Sequence, residues 1–325
     1  MARQKFLVCG ATGFIGRNIL DAFQNDANVE LFGVYCKSAP DKVLRHRPGL
    51  TLIEADLRDP AGVESCVKGM DVVIQAAATT SGARDIVLRP YLHVTDNAVM
   101  NALIFRACQQ HAVGQVIFFS CTTMYASSQT PVQESDFNFE VPDKYFGVGW
   151  TKVYNEKMCE FYSRLGPTRY TVIRHSNIYG PFDKFDLERS HVFGATVTKV
   201  LTVPEGGQVV VWGDGSELRD LLYVDDLIEF VRQAMRLQTT PFELVNVGAG
   251  ESIAIRDLVA KIIEASGKKL GIVYDRSKPT INFDLVLNIG RARGVFQWRP
   301  RTGLDAGIAK TLAWVRGSRS PEASG

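Results

Sequence analysis

The feature that most constrains this chain is a glycine pattern near its N-terminus. Gly10, Gly13 and Gly16 form G-x-x-G-x-x-G between an apolar run, KFLVC, and a longer amphipathic stretch, GRNILDAF. Glycines here permit a tight turn and a close backbone approach, while the N-terminus of the following helix faces a pyrophosphate. A strand, a turn and a helix in this order predict a dinucleotide-binding site. The same loop contributes Thr12, Phe14 and Ile15.

The residues that follow alternate short apolar runs with longer amphipathic segments as far as TVIRHSNI. Two of the runs, DVVIQAAA and VIFFS, are apolar throughout, as expected of strands that are covered on both faces. This alternation predicts an α/β fold, namely a Rossmann doubly wound parallel sheet with helices on both sides.

The pattern becomes less regular after Pro181, which predicts two lobes. We expect a dinucleotide-binding domain over residues 1–180, to which 214–245 return, and a smaller, interleaved C-terminal substrate-binding lobe over 181–315. Helices are predicted near 195–201, over 225–238 and over 256–266. The last residues, 316–325, lack large apolar side chains and predict a disordered tail.

Composition excludes several classes of protein. The 325 residues carry a formal net charge of +2 and are 46% hydrophobic, which implies no broad attraction to nucleic acid or to a membrane. No apolar run reaches transmembrane length and the N-terminus leads directly into the first strand, so we expect a soluble, cytoplasmic protein. The six cysteines form no C-x-x-C pair and have no neighbouring histidines, which predicts neither disulfides nor a metal site.

Further side chains are candidates for contact with the dinucleotide. Lys37 follows the second predicted strand, where an acidic residue would have indicated NAD. It either meets the 2′-phosphate of NADP or is a solvated turn residue, and the choice between NAD and NADP stays open. Asp56, with Leu57 beside it, suits an adenine amino group. Three small residues either let the cofactor cross the strand ends or pack a helix on the sheet: Ala76, Ala77 and Ala78.

Five segments occur in a recognisable order: GATGFIG, FFSCTTMY, GWTKVYNEK, RHSNIYGP and GDGSELRDLLYVDDL. Together they resemble the landmarks of the extended short-chain dehydrogenase/reductase family, whose members act on nucleotide-sugars. The resemblance covers nearly the whole chain. NIYGPFDKFDLERSHV, and VNVGAGESIAIRDL followed by YDRSKP, are most similar to the GDP-L-fucose synthases. The resemblance implies an NAD(P)-dependent enzyme, a GDP-linked sugar in the smaller lobe, and a homodimer.

The resemblance also implies which residues touch the nucleotide-sugar. They are Asn177, Lys199, Trp212 and Arg219. Arg219 has the clearest physical reason, because a guanidinium can bind a diphosphate with paired hydrogen bonds. The alternatives are that Arg219 pairs with a carboxylate such as Asp220, that Trp212 is a core residue, and that Lys199 is a solvated helix residue.

In this family a tyrosine four residues before a lysine moves the hydroxyl proton while hydride passes to or from the nicotinamide. By resemblance Lys152 is that lysine, which holds the cofactor ribose and lowers the pKa of the tyrosine. Val148 stands four residues earlier and can neither donate nor accept a proton. Tyr145 either supplies a phenol from a shifted position or only lines the pocket.

The other candidate catalytic groups also depart from the family pattern. Cys121 stands where the family places a hydroxyl. Either Cys121 serves that position itself, or it is a structural residue at the strand end and a hydroxyl of Thr122 or Thr123 takes over the polar contact. Thr123 replaces the cysteine that GDP-L-fucose synthases use for epimerisation, which argues against a double epimerisation. By resemblance, His191 falls on the position of their second acid/base group, and an imidazole can move protons at neutral pH. The alternative is that His191 has a structural role.

These residues favour an oxidoreductase that acts at C4 of a GDP-hexose or GDP-heptose. The second hypothesis is a nucleotide-sugar epimerase that passes through a 4-keto intermediate. The third is a non-catalytic dinucleotide-sensing protein, because loss of a tyrosine is also what decay of catalysis would look like. Retention of Lys152, His191 and Arg219 favours a working substrate pocket.

Overall fold

A central sheet carries the larger part of the molecule, whose computed structural model describes residues 2–79, 89–187, 190–278 and 283–318. Its seven strands are β1 Gln4–Cys9, β2 Val29–Tyr35, β3 Leu50–Glu54, β4 Val72–Gln75, β5 Gln115–Phe119, β6 Arg169–His175 and β11 Phe242–Val247. They are all parallel, in the order β11-β6-β5-β4-β1-β2-β3. β4 and β5 are buried over their full lengths, as the apolar runs predicted. The Rossmann doubly wound parallel sheet is confirmed.

Helices cover both faces of this sheet. One face carries α1 Phe14–Phe23, α7 Val224–Leu237 and α9 Gly290–Phe296, whose apolar residues share one hydrophobic core. The other face carries α3 Pro60–Val67, α4 Thr95–Gln110 and α5 Phe146–Tyr162, which pack into a second core. The short helix α2 Lys42–Arg45 follows β2. This two-sided cover explains why the central strands are apolar throughout.

The remaining elements form the smaller lobe. They are β7 Asn177–Tyr179, α6 Val192–Thr202, β8 Gln208–Trp212, β9 Leu218–Arg219, β10 Leu221–Tyr223, β12 Ile253–Ala254, α8 Ile255–Ser266, β13 Gly271–Asp275 and α10 Leu304–Ser318. β7 pairs with β10 and β8 with β13 in parallel, and β9 pairs with β12 antiparallel. A third core unites α6, α8 and α10.

The two lobes are interleaved in the chain. After the first strands of the smaller lobe, α7 packs on α1 and β11 joins the edge of the central sheet. The helices predicted near 195–201, 225–238 and 256–266 are α6, α7 and α8. The domain boundary at residue 180 stays a prediction.

One predicted boundary is wrong in detail. Helix α10 continues to Ser318, past the expected start of the tail at Arg316, and the Arg316 guanidinium donates to the carbonyl oxygen of Ser266 at 2.6 Å. The rest of the predicted tail lies outside the described residues. Among the described helices, none combines the length and the apolar character needed to cross a bilayer.

Candidate active site

The glycine pattern forms the predicted turn between β1 and α1. Gly10 has a φ of +80°, and a Cβ there would lie 2.9 Å from the backbone of Ala77 on the neighbouring strand end. A Cβ on Gly16 would lie 2.1 Å from the Gly10 carbonyl oxygen. Gly13 begins α1 without a side-chain cap. The turn therefore has the close backbone packing and the open helix N-terminus that a dinucleotide pyrophosphate requires.

The other residues of this loop divide between solvent and core. Thr12 is half-buried, whereas Phe14 and Ile15 pack against the core under α1. Ala76 and Ala77 are half-buried and Ala78 is exposed, directly after β4. Both functions considered for the alanines, room at the strand ends and packing, are compatible with these positions.

An ion-pair cluster occupies the predicted adenine end of the site. Arg58 donates to both carboxylate oxygens of Asp56, at 2.6 and 2.9 Å, and reaches Asp96 at 3.0 Å. These hydrogen bonds, with a smaller contribution from Lys37, lower the pKa of Asp56 to about 2. Lys37 itself is exposed, and Leu57 is a core residue with 5% exposure. Asp56 is therefore held as a carboxylate, the form that accepts a hydrogen bond from an amino group.

Lys152 reaches the carboxyl edge of the sheet from helix α5. Its Nζ donates to the carbonyl oxygen of Phe119 at 2.8 Å and lies 4.9 Å above the ring of Phe118. Burial lowers the pKa of Lys152, and the neighbouring Cys121 and Glu156 oppose that shift. Lys152 is thus positioned at the end of β5, close to the turn that carries the predicted hydroxyl groups.

That turn brings Cys121 and Thr123 together. The Cys121 Sγ and the Thr123 Oγ1 lie 2.9 Å apart, and Thr122 accepts a backbone hydrogen bond that closes the turn. All three residues are half-buried. A threonine hydroxyl is therefore available beside the thiol, as the sequence suggested.

Tyr145 caps the N-terminus of α5 and faces the smaller lobe. Its ring packs edge to face on Phe283, with centroids 5.7 Å apart. Burial raises the pKa of Tyr145; Arg219 opposes this shift and Cys121 adds to it. A catalytic phenol needs the opposite shift, toward neutral pH. Tyr145 as the displaced proton donor stays a prediction, and its surroundings fit a pocket-lining role.

Two histidines lie at the site. His191 stands just before α6, and burial together with Lys184 lowers its pKa. His175 ends β6, and its Nδ1 is 2.8 Å from the carbonyl oxygen of Ser176. Both Lys152 and His191 are near enough to act on the pKa of His175. The two predicted catalytic residues therefore have His175 as a common neighbour.

Arg219 lies in β9 and is held by several partners. It donates to Glu217 at 2.8 Å, to the Leu218 carbonyl oxygen at 2.9 Å, and to the carbonyl oxygen of Phe283. The alternative that Arg219 pairs with a nearby carboxylate is what the structure shows, with Glu217 in place of Asp220. Asp220 itself is fully buried and accepts backbone hydrogen bonds from the 249–250 turn and from 287. Arg219 is thus rigidly placed beside Tyr145.

The remaining predicted substrate residues lie in the smaller lobe and at its junction with the sheet. Lys199 donates to the Val210 carbonyl oxygen at 2.8 Å and lies 5.9 Å from the ring of Trp212, so it is not a simple solvated residue. Trp212 is 54% exposed at the end of β8, which excludes the core alternative. Asn177 uses its amide nitrogen to donate to the Asp220 carbonyl oxygen at 3.2 Å.

Sequence reasoning missed four residues of this region. Two of them, Lys144 and Phe283, lie beside Arg219. The Nζ of Lys144 is 4.9 Å from the ring of Phe283. The others are Arg58, which binds Asp56, and His175. Only His175 had a usable signal, since a titratable side chain directly after a buried strand lies at the ligand-binding edge of a parallel sheet. Among the described residues, no group of three His, Cys, Asp or Glu side chains could hold a metal ion.

Comparison with known proteins agrees with this geometry. Residues 6–248, which span the glycine turn, Lys152 and both histidines, match the model of the NAD dependent epimerase/dehydratase family. The chain belongs to this family. It is therefore an enzyme of a nicotinamide-dependent class, and the glycine turn between β1 and α1 fits that cofactor.

Individual relatives are similar over nearly their whole lengths. A dTDP-4-dehydro-6-deoxy-D-allose reductase from Streptomyces sp is 27% identical, with 97% of each chain covered. The GDP-L-fucose synthase of Escherichia coli (strain K12) is 28% identical, again with 97% of each chain covered. Among solved structures, the UDP-glucose 4-epimerase of Thermotoga maritima superposes with a TM-score of 0.85 at 23% identity, covering 98% of this chain and 100% of that one.

Proposed function

We propose that this enzyme transfers hydride between a nicotinamide dinucleotide and C4 of a GDP-linked hexose or heptose. The observation that carries the proposal is that Lys152 reaches the carboxyl end of β5 and that Lys152 and His191 both lie near enough to His175 to lower its pKa. When bound, the nicotinamide supplies or takes the hydride. The residues of this chain hold the cofactor, hold the sugar and move the proton.

Positive side chains support a diphosphate-linked substrate. Burial and then Arg219 lower the pKa of Lys144, and Glu217, which pairs with Arg219, opposes that shift. Two cations and one carboxylate are thus close together on the side of Tyr145 that faces the smaller lobe, and the excess positive charge favours a further anion. Trp212 offers a half-exposed ring at the end of β8 on which a base or a sugar can stack.

The choice of GDP rests on the curated relatives, which include several GDP-L-fucose synthases and a GDP-L-colitose synthase. Two positions argue against the chemistry of a fucose synthase. Val148 replaces the proton-transferring tyrosine, and Thr123 replaces the cysteine that the resemblance assigns to epimerisation. A single redox step at C4 needs neither group if another residue moves the proton.

We also propose that the enzyme is a homodimer that pairs through α4 and α5. Both helices expose large apolar side chains to solvent, which is unusual for the outer face of a monomer. They are Val99 (40% exposed), Phe146 (61%), Tyr154 (59%) and Phe161 (55%). A second copy of this chain would cover them. A monomeric mass by light scattering, at micromolar protein concentration, contradicts this proposal.

The redox proposal is tested by incubating the purified protein with GDP-, dTDP- and UDP-sugars and following the absorption band of reduced nicotinamide. Oxidation or reduction of one GDP-sugar supports the proposal. Exchange of solvent deuterium into the sugar without net redox change supports the epimerase instead. Neither signal with any nucleotide-sugar leaves only the dinucleotide-sensing function.

A further inference from the structure

His175 is a titratable side chain at the centre of the site for which the family resemblance provides no role. As the last residue of β6 it lies at the carboxyl edge of the parallel sheet, where such sheets bind their ligands. Its ring packs edge to face against that of Phe119, with centroids 6.2 Å apart. The Phe119 carbonyl oxygen in turn holds Lys152 at 2.8 Å. The imidazole and the ammonium group therefore share one neighbour.

One hydrogen bond decides which ring nitrogen of His175 carries the hydrogen. Nδ1 lies 2.8 Å from the carbonyl oxygen of Ser176. A carbonyl oxygen only accepts hydrogen bonds, so Nδ1 is the donor. Nε2 then carries the lone pair, and a neutral imidazole in this tautomer accepts a proton at Nε2.

The surroundings of His175 keep the imidazole neutral. Burial lowers its pKa to about 4, the Ser176 carbonyl opposes this shift, and Lys152 and His191 add to it. Above about pH 5 the imidazole is thus unprotonated, with the Nε2 lone pair available. Tyr145 is less suited to this task, because burial raises its pKa.

We propose that His175 is the proton acceptor that replaces the tyrosine missing at Val148, an inference that rests on the proposed function. When the C4 hydroxyl is oxidised, its O–H bond breaks and the proton goes to Nε2. The C4–H bond breaks at the same carbon, and the hydrogen leaves with both electrons to an oxidised nicotinamide. The C4–O bond becomes a carbonyl.

The test uses the full-length protein, the substitution His175→Asn, and His46→Asn as a matched control. His46 also binds a backbone carbonyl oxygen, that of Lys42, through Nδ1 at 2.8 Å, but it is exposed at the end of α2. Asparagine keeps a donor for the Ser176 carbonyl and cannot accept the proton. The comparison therefore separates loss of a histidine from loss of this base.

The first measurement is ¹⁵N NMR of histidine-labelled protein. We expect the His175 signal to show the Nδ1–H tautomer, and to shift when oxidised nicotinamide dinucleotide is added, while the His46 signal does not move. An Nε2–H tautomer, or a His175 signal that ignores the dinucleotide, overturns the inference. This readout does not depend on turnover.

The second measurement is steady-state oxidation of the GDP-sugar that the wild-type enzyme uses. His175→Asn should lower kcat about 100- to 10,000-fold, the usual contribution of a general base, and should leave the dissociation constant of the dinucleotide within about 3-fold. A kcat close to that of wild type overturns the inference. If the wild-type enzyme oxidises no nucleotide-sugar, the proposed function fails, and the NMR response alone decides whether His175 serves the nicotinamide site.

Discussion

Lys152 donates a hydrogen bond of 2.8 Å to the carbonyl oxygen of Phe119, which joins helix α5 to the carboxyl end of strand β5. Val148 lies one helical turn before Lys152, on the same face of α5. The helix itself therefore defines the place where the family has its tyrosine. The resemblance places the family lysine at Lys152 and the family tyrosine at Val148, so the proposed proton transfer requires another group.

Removing the cation at this edge should stop the reaction. Lys152→Met is expected to lower kcat/KM at least about 100-fold, because the ammonium group holds the cofactor and sets the charge around the base. Steady-state kinetics with the preferred nucleotide-sugar measure this loss. Lys157→Met is the control, since Lys157 lies on the same helix with 59% of its side chain exposed. Unchanged turnover in Lys152→Met would show that the lysine has been wrongly assigned.

Substitutions at Tyr145 and at His191 should affect kcat differently. Tyr145→Phe is expected to keep kcat within about 3-fold of wild type, because the phenol has a raised pKa and packs on Phe283. His191→Asn should lower kcat by about 10-fold or more if it is the second acid/base group. Both values come from the same kinetic assay. A dead Tyr145→Phe enzyme would assign the proton transfer to the phenol.

The turn between β1 and α1 should not tolerate a methyl group. Gly16→Ala would place a Cβ 2.1 Å from the Gly10 carbonyl oxygen, so the backbone that faces the pyrophosphate must shift. We expect a lower Tm, with a loss of about 1–3 kcal/mol, and weaker dinucleotide binding by calorimetry. Gly166→Ala is the control, because a Cβ there meets nothing within 4 Å. Wild-type binding by Gly16→Ala would exclude a close pyrophosphate.

Arg219 should act on substrate binding more than on chemistry. Loss of charge-assisted hydrogen bonds to a diphosphate costs about 1.5–3 kcal/mol, so Arg219→Ala should raise KM about 10- to 100-fold with little change in kcat. Arg164→Ala is a suitable control, since its side chain is 70% exposed. Circular dichroism checks that the loss of the Glu217 pair leaves the fold intact. A fall in kcat with unchanged KM would contradict a binding role.

Asp183 should make stability depend on pH. Burial raises its pKa to about 7, opposed only in part by the Lys184 N–H, and no hydrogen-bond partner of Oδ2 lies within the described residues. The folded protein thus holds this proton more tightly than the unfolded chain does. The resulting stabilisation is complete below about pH 4 and is lost as the pH rises through 7.

Asp183→Asn removes this dependence. Its Tm relative to wild type should be higher at pH 8 than at pH 5, corresponding to a gain of about 2–4 kcal/mol at the higher pH. Differential scanning fluorimetry at both pH values measures the difference. The same Tm difference at pH 5 and pH 8 would show that the carboxyl is not perturbed.

The parts of the site that could be predicted from sequence are those carried by contiguous residues. Gly10, Gly13 and Gly16 define their turn because a strand that ends at Cys9 is followed by a helix that begins at Phe14. Lys152 could be placed on its helix because GWTKVYNEK contains the whole segment. The sheet follows in the same way from the alternation of apolar runs.

His175, which sequence reasoning missed, depends on distant partners. It becomes a candidate base through Phe119 in β5, Lys152 in α5 and His191 just before α6. The sequence suggested Asp220 as a carboxylate partner of Arg219, but Arg219 pairs with Glu217 and with the carbonyl oxygen at position 283. No local pattern encodes the contact between Arg219 and position 283, which lies 64 positions further along the chain.

The sequence by itself determined the fold class, the dinucleotide turn and the absence of tyrosine at Val148, because each depends on the type and order of neighbouring residues. Only the tertiary structure decided what stands near Lys152 in place of that tyrosine. The burial of His175 and the direction of its Nδ1 hydrogen bond arise where β5, β6 and α5 meet. Protonation state and tautomer are set by such packing, since burial and neighbouring charges act through space and not along the chain.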